Sequence, residues 1–242
     1  MLYETDANKG KLKYMGLSLK RRDSCDYLKD VYGGILNILM KQTDNGAVNN
    51  IQLAIEFLDK SLNDLIDGRV PMDKLTLTRA LRGDYKNPTQ MAHRVLADRI
   101  GQRDPGNKPK PGDRIKFAFI VNNNKKALQG DKIETPEFII SNKLQLDYVY
   151  YITNQLMKPL QQLFGLALEH IWTMQRKSGA IKTFKRDMER LSEQYEDLEE
   201  FMKKKEKYCS AKVKLLLFDK FLTRIFNQKN NIQQITGFFA SK

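Results

Sequence analysis

The sequence predicts a mostly helical α+β fold with small β elements and a C-terminal helical hairpin. Three patterns carry this expectation. Leu28, Val31, Ile35, Leu36 and Leu39, and then Ile51, Ile55, Leu58, Leu62 and Leu65, recur at the spacing of amphipathic helices. Phe117-Ala-Phe-Ile-Val121 is a short apolar run bounded by turn residues, as a strand is. Phe184, Met188, Leu191, Tyr195, Leu198 and Met202 alternate steps of four and three, which is a heptad seam. The seam covers fewer than three heptads, so it fits one arm of an intramolecular hairpin. Val213, Leu217, Phe221 and Ile225 supply the other arm over Val213–Phe226.

The elements follow in chain order. Residues 1–22 read as extended pieces around a turn at Gly10, and Asp23 and Ser24 are N-cap types for a first helix over Tyr27–Lys41. Gly33 and Gly34 inside it cost about 1 kcal/mol each relative to alanine, which points to close packing. Asp44-Asn-Gly46 is a turn, and a second helix runs from Ile51 to a stop at Gly68. Lys74–Thr78 alternates like a short strand. Asn87-Pro88 opens a third helix over Thr89–Gly101. Two strand-like runs follow, Ile115–Val121 and Phe138–Ile140, with a turn at Asn122-Asn-Asn124. A long helix starts near Asp147 and carries Tyr148, Tyr151, Ile152, Leu156 and Leu160.

Charge narrows the function. The 242 residues hold 42 Lys+Arg and 29 Asp+Glu, a net +13. That favours a polyanionic partner. Residues 74–132 hold fourteen Lys/Arg, five Asp and no Glu, so a surplus of nine sits in this one segment. Within it, Arg103-Asp-Pro-Gly-Asn-Lys-Pro-Lys-Pro-Gly-Asp-Arg-Ile115 packs three prolines and two glycines among six charged groups. No helix passes through such a stretch. A stiff basic loop that launches a strand suits contact with a phosphate backbone.

Several classes are excluded. There is no Gly-rich phosphate loop, nucleophile elbow or apolar-framed carboxylate pair, so the chain carries no catalytic constellation of its own. Cys25 and Cys209 are the only cysteines, which excludes a disulfide framework and a cysteine zinc site and favours a reducing interior. His93 and His170 lack ligand-like neighbours, so neither is expected to bind a metal. Met1-Leu-Tyr-Glu-Thr-Asp6 has no signal-peptide character. No apolar run approaches the roughly 18–20 residues needed to span a bilayer. No helix sets a basic face against a bulky aromatic one, so no membrane partner is expected.

Tyr85-Lys-Asn-Pro88, Ala92-His-Arg-Val-Leu-Ala-Asp-Arg99, Arg103-Asp-Pro-Gly106 and Pro111-Gly-Asp-Arg-Ile115 resemble consecutive thumb blocks of family B DNA polymerases, of the polymerase delta branch and its relatives in large DNA viruses. Gly16-Leu-Ser-Leu-Lys-Arg-Arg-Asp23 and Val31-Tyr-Gly-Gly34 resemble the palm-to-thumb junction and first thumb helix. Asp147-Tyr-Val-Tyr-Tyr-Ile-Thr-Asn-Gln-Leu-Met-Lys-Pro-Leu160 resembles the thumb helix that returns towards the palm. The blocks fall in family order over roughly residues 1–170.

The resemblance implies a domain plan: 1–24 as the C-terminal end of the palm, 25–227 as the thumb with a helical extension, and 228–242 as a flexible clamp-binding tail. It implies a role in DNA replication, gripping primer–template duplex for a DNA-directed DNA polymerase, a nucleotidyltransferase. The motifs that carry the family's catalytic carboxylates do not occur here, so the chain alone is expected to be inactive. It needs no cofactor of its own, and Mg²⁺ is expected in the missing palm. The expected DNA contacts are Arg82, Tyr85, Lys86, His93, Arg103, Lys108 and Arg114, with Asp104 and Asp113 orienting neighbouring cations or capping turns rather than meeting DNA. Arg21, Arg22 and Asp23 mark the palm–thumb junction. Ile232-Gln-Gln-Ile-Thr-Gly-Phe-Phe239 resembles the sliding-clamp motif, with Ile235, Phe238 and Phe239 as its apolar plug and Ile232 where the motif has Gln. The partners are therefore primer–template DNA, the palm, fingers and exonuclease of the polymerase, and a sliding clamp. The location is intracellular, at a viral replication site or in the host nucleus or cytoplasm. The rival reading is a stand-alone basic DNA-binding protein without sequence specificity.

Overall fold

Residues 24–40, 47–124 and 126–230 are described by a computed structural model of the chain. They fall into two compact units interleaved in sequence, 24–30 with 68–151 and 31–67 with 152–230. The expected thumb span, 25–227, runs through both. The expected turn at Asp44–Gly46, the junction residues Arg21, Arg22 and Asp23, and the tail residues Ile235, Phe238 and Phe239 lie outside the described residues.

The first unit is built around a small antiparallel sheet in the order β1-β2-β3: β1 Leu77–Ala80, β2 Arg114–Phe119 and β3 Ile133–Glu134. Leu77 pairs with Phe117 and Ala80 with Arg114, while Phe119 pairs with Ile133. Alternation sets the buried face of β2: Ile115 and Phe117 are buried while Arg114 and Lys116 are exposed. Leu75, Leu81, Leu96, Ala97, Ile139 and Tyr151 complete the core. The helices are α3 (Met72–Leu75), α4 (Ala92–Arg103), α5 (Pro136–Ser141) and the short α6 (Tyr148–Tyr150). Asp147 starts α6 as expected, its carboxylate accepting from Tyr150 N at 3.0 Å.

Three expectations are corrected here. The strand placed at Lys74–Thr78 starts three residues later, because Pro71 launches the helical turn of α3 and the Thr76 hydroxyl donates back to Met72 O at 2.8 Å. Phe138–Ile140 is helical rather than extended. Thr135 caps that turn by accepting from Phe138 N at 3.3 Å, and Pro136 occupies the first helical position, where its missing N–H costs nothing. The strand that follows β2 and pairs with it on the side away from β1 is β3, two residues long and too short to show a period. The third helix starts at Ala92 rather than Thr89, after a separate 3₁₀ turn at Pro88–Gln90.

The second unit is helical. It contains the later part of α1 (Asp26–Met40), all of α2 (Ala47–Ile66), and then α7 (Met157–Leu166), α8 (Leu168–Met174), α9 (Ser178–Gln194), α10 (Leu198–Val213) and α11 (Asp219–Lys229). Segments of π-helix at Tyr151–Leu156 and Lys214–Phe218 join α6 to α7 and α10 to α11. Gly34 permits close packing as expected: a β-carbon there would lie 2.7 Å from the Phe57 ring. Gly33 faces open space. Gly68, with φ +70°, ends α2 in the left-handed conformation a side chain would resist. Gln161 Nε2 donates to Ser210 O at 2.9 Å between α7 and α10, and Arg224 ties α11 to Asn63 and Asp67 of α2 at 2.8 Å each.

The helical hairpin is present with different arms. The heptad seam is not one helix: it breaks at Tyr195, with φ −122° and ψ 102°. Asp197 then caps α10 by accepting from Glu199 N at 3.2 Å. Phe184 is buried in the first arm, but Leu198 and Met202 are 72% and 53% exposed at the start of the second. That second arm runs from Leu198 through the π segment to Lys229, rather than over Val213–Phe226. A good N-cap at Asp197 outweighs continuation of the apolar period.

Candidate nucleic-acid interface

The basic loop and the loop before α4 meet in the first unit. Leu81 N donates to Asp113 O and Gly112 N donates to Leu81 O, both at 2.8 Å. Gly112 has φ +99°, which restricts the position to glycine without strain. Asp113 also accepts from Lys110 N at 2.7 Å through its side chain. Upstream, Asp104 accepts from Gly106 N at 3.1 Å and from Asn107 Nδ2 at 2.6 Å, opening the 3₁₀ turn Pro105–Asn107. Both aspartates therefore shape turns. The stretch is polar yet built, with backbone and side-chain bonds fixing its path.

Of the residues expected at the interface, three remain outward-facing cations. Arg82, Lys86 and Arg114 are exposed, and among the described residues none of them forms an ion pair. Arg114 reaches Thr78 O at the 3.5 Å limit of a hydrogen bond. Lys110 and Lys116, which the sequence reading did not single out, join this group. Lys110 lies in the same loop, and Lys116 follows Arg114 on the exposed face of β2. The alternation of β2 was the signal that could have found Lys116.

The other four have partners within the unit, although Arg103 and Lys108 are also exposed. Tyr85 and His93 form a pair: the phenol oxygen accepts from Arg82 N at 2.7 Å and lies 2.9 Å from His93 Nε2, with the rings edge to face. Burial, and then the charges of Arg79 and Arg82, hold His93 below its usual pKa. Neutral imidazole is thereby favoured, and its Nε2 can accept a hydrogen bond from the phenol O–H. This pair fixes the Arg82 backbone. Lys108 lays its stem across Gly101, where a β-carbon would meet it at 2.7 Å, and brings its ammonium to 3.5 Å from Asp98. Arg103 places Nη2 2.7 Å from Glu134 Oε2 and its guanidinium 3.6 Å from the centre of the Phe138 ring.

Glu134 is the residue that sequence reasoning missed. It is 3% exposed. Arg99 approaches the same carboxylate oxygen at 3.2 Å, and its Nη2 donates to Ile133 O at 2.6 Å and Gly130 O at 3.1 Å. The other Glu134 oxygen accepts from Thr135 N at 3.1 Å. One buried carboxylate thus anchors two arginines of α4 beside the start of the basic loop. A single glutamate in a two-residue strand gives no pattern to read.

Such a face can hold phosphates by charge-assisted hydrogen bonds from side chains. Among the described residues no group of three or more His, Cys, Asp or Glu side chains is placed to hold a metal ion. No helix among the described residues is long and apolar enough to cross a membrane.

The model of one family, DNA polymerase family B, matches residues 1–166. The DNA polymerase of Pyramimonas orientalis virus is 43% identical over 242 residues, covering 99% of this chain and 19% of the relative. The DNA polymerase of Acanthamoeba polyphaga mimivirus is 42% identical over 174 residues, 70% of this chain and 10% of the relative. The DNA polymerase delta catalytic subunit of Candida albicans is 30% identical over 181 residues, 74% of this chain and 16% of the relative. The chain therefore spans about a fifth or less of the length of these relatives. Among solved structures, the family B DNA polymerase of the hyperthermophilic archaeon Pyrobaculum calidifontis superposes with a TM-score of 0.50 at 16% identity, over 62% of this chain and 18% of that one, a likeness of fold. With more than two thirds of its length inside the match, the chain belongs to DNA polymerase family B.

Proposed function

We propose that this chain is the thumb-bearing portion of a DNA-directed DNA polymerase and that it grips primer–template duplex through the phosphate backbone. The observation that carries the reading is the face formed by Arg82, Lys86, Lys110, Arg114 and Lys116. These are exposed cations: Lys110, Arg114 and Lys116 on a loop and strand whose path Asp104, Asp113 and Gly112 fix, and Arg82 and Lys86 on the loop that Tyr85 and His93 hold. A polymerase must slide along its product, so a grip blind to base identity is what it requires. Tyr85, His93, Arg103 and Lys108 then act by holding this face in place. Nucleotidyl transfer would belong to the palm, fingers and metal ions of the longer protein.

The test replaces both Lys110 and Arg114 with glutamine and titrates duplex by fluorescence anisotropy over a salt series. Each lost phosphate contact is expected to flatten the slope of log K against log salt by about one unit, so about two in all. Thermal stability should not change, because both side chains are exposed. An unchanged slope in a folded variant would turn this face away from DNA.

The tail Ile232–Phe239 carries a second part of the proposal, a sliding-clamp ligand. Ile235, Phe238 and Phe239 are three and four apart in sequence, so a single helical turn formed on the clamp would bring them to one side. Ile232 cannot make the hydrogen bonds of a glutamine, so binding of a 228–242 peptide to the cognate clamp should be about micromolar by calorimetry. Equal heats from a peptide with Phe238→Ala and Phe239→Ala would remove the tail from the account.

A further inference from the structure

The apolar face of α10 is covered along only part of its length. Leu198, Met202, Cys209 and Val213 are four, seven and four residues apart, so they share one side of the helix. Cys209 and Val213 are buried, and a β-carbon on Gly165 of α7 would lie 3.4 Å from that of Cys209. Leu198 and Met202, one turn apart at the other end, are largely exposed. Tyr195 in the bend and Phe201 between them in sequence are half-buried. Large apolar side chains left out together within a polar rim mark a surface that a partner covers.

The rim is acidic. The stretch Ser192–Met202 holds five acids, Glu193, Glu196, Asp197, Glu199 and Glu200, and no cation, in a chain of net +13. All five are exposed. The bordering cations offset few of them. Lys203 pairs with Glu199 at 2.6 Å, and Lys204 lies 5.0 Å from the centre of the Tyr195 ring. Lys205, next along the apolar face, is half-buried. Among the described residues Glu193, Glu196, Asp197 and Glu200 form no ion pair. Local stability accounts for some of these acids but not all. Asp197 caps α10, and Glu199 and Glu200 suit its N-terminus. Glu193 lies in the last turn of α9, where a negative charge opposes the helix dipole and no basic residue answers it. Glu196 stands in the bend between the arms.

We infer that the hairpin tip, Leu198 and Met202 with their acidic rim, is a docking surface for a cationic amphipathic helix of a protein partner. Charge complementarity selects the occupant. Exposed carboxylates repel nucleic acid and an anionic membrane alike, and attract lysine and arginine. Two apolar side chains one turn apart form a short ridge that packs against the apolar stripe of another helix. Cations beside that stripe would then meet the carboxylates of the rim. The rest of the chain is strongly basic and repels such a helix, which confines it to the tip. The surface lies beyond the family match, which ends at residue 166, and the inference does not rest on the phosphate grip.

The probe is a synthetic peptide of leucine and lysine with its leucines on one helical face, beside a peptide of the same composition with its leucines spread round the helix. Fluorescence anisotropy reads their binding to the full chain over a salt series. The wild-type chain is expected to bind the amphipathic peptide, more weakly as salt rises, and the spread peptide about tenfold more weakly or less. Leu198→Gln with Met202→Gln should weaken binding about tenfold or more at unchanged helicity by circular dichroism, since both positions are exposed and glutamine keeps helix propensity. Glu193→Gln, Glu196→Gln and Glu200→Gln together should flatten the salt dependence. No binding by the wild-type chain, or equal binding by the Leu198→Gln/Met202→Gln chain, overturns the inference. So does self-association of the wild-type chain that this variant loses, which makes a second copy the occupant. Duplex affinity lost in the same variant would place the tip on DNA and overturns it as well.

Discussion

Replacing Glu134 with alanine is expected to destabilise the chain by about 3 kcal/mol, among the larger losses available at a single polar position. The carboxylate is buried, and it faces Arg103 at 2.7 Å and Arg99 at 3.2 Å. Removing it leaves two part-buried guanidiniums without their counter-charge and frees Thr135 N. Both arginines retain some solvent, which places the loss at the low end of the range for breaking buried pairs. Glutamine at the same position keeps the acceptor and should lose less. Urea denaturation checks this as a shift of midpoint at unchanged m. A loss below about 1 kcal/mol would show that solvent already screens the cluster.

Tyr151→Phe should cost about 2 kcal/mol by the same measurement. The hydroxyl is fully buried, accepts from Phe119 N at 3.0 Å and donates to Leu75 O at 2.8 Å. Phenylalanine keeps the packing but leaves a buried donor and a buried acceptor without partners. Burial raises the phenol pKa well above the usual range, so the group stays protonated at every pH at which the chain would be studied. A neutral effect would mean that water replaces the hydroxyl.

The two residues show where sequence reasoning succeeds and where it stops. Tyr151 was placed on the correct helix, because Asp147 caps it and the apolar spacing after it is regular. Its hydroxyl bonds bridge residues 32 and 76 positions away, and no local pattern encodes those distances. The amphipathic helices α1 and α2 were legible for the same reason as Tyr151's helix. Phe138–Ile140 was not, because apolar composition suggested a strand while Thr135 and Pro136, just upstream, decided for a helix. The hairpin was legible in kind and misjudged in register, since a strong cap at Asp197 interrupts an intact heptad period.

The interface divides in the same way. Charge excess and Pro/Gly content mark the loop in the sequence, and of the two roles open to Asp104 and Asp113, orienting cations or capping turns, the structure shows turn bonds. Which cations stay free was not legible. Arg103 and Arg114 bracket the loop alike in sequence, but Glu134, twenty residues beyond Arg114, pairs with the first and not with the second. Lys108 and Lys110 differ likewise, because Gly101 opens a path for one of them to Asp98.

The central claim is a sequence-blind grip on duplex phosphates. Its most direct test is the binding of the wild-type chain to two primer–template duplexes of unrelated sequence, from about 50 to 200 mM salt. The account predicts equal affinities for the two, with log K falling against log salt at a slope of about −4 or steeper, as five neutralised phosphates require. A slope near zero, or a preference of tenfold or more for one sequence, would contradict it.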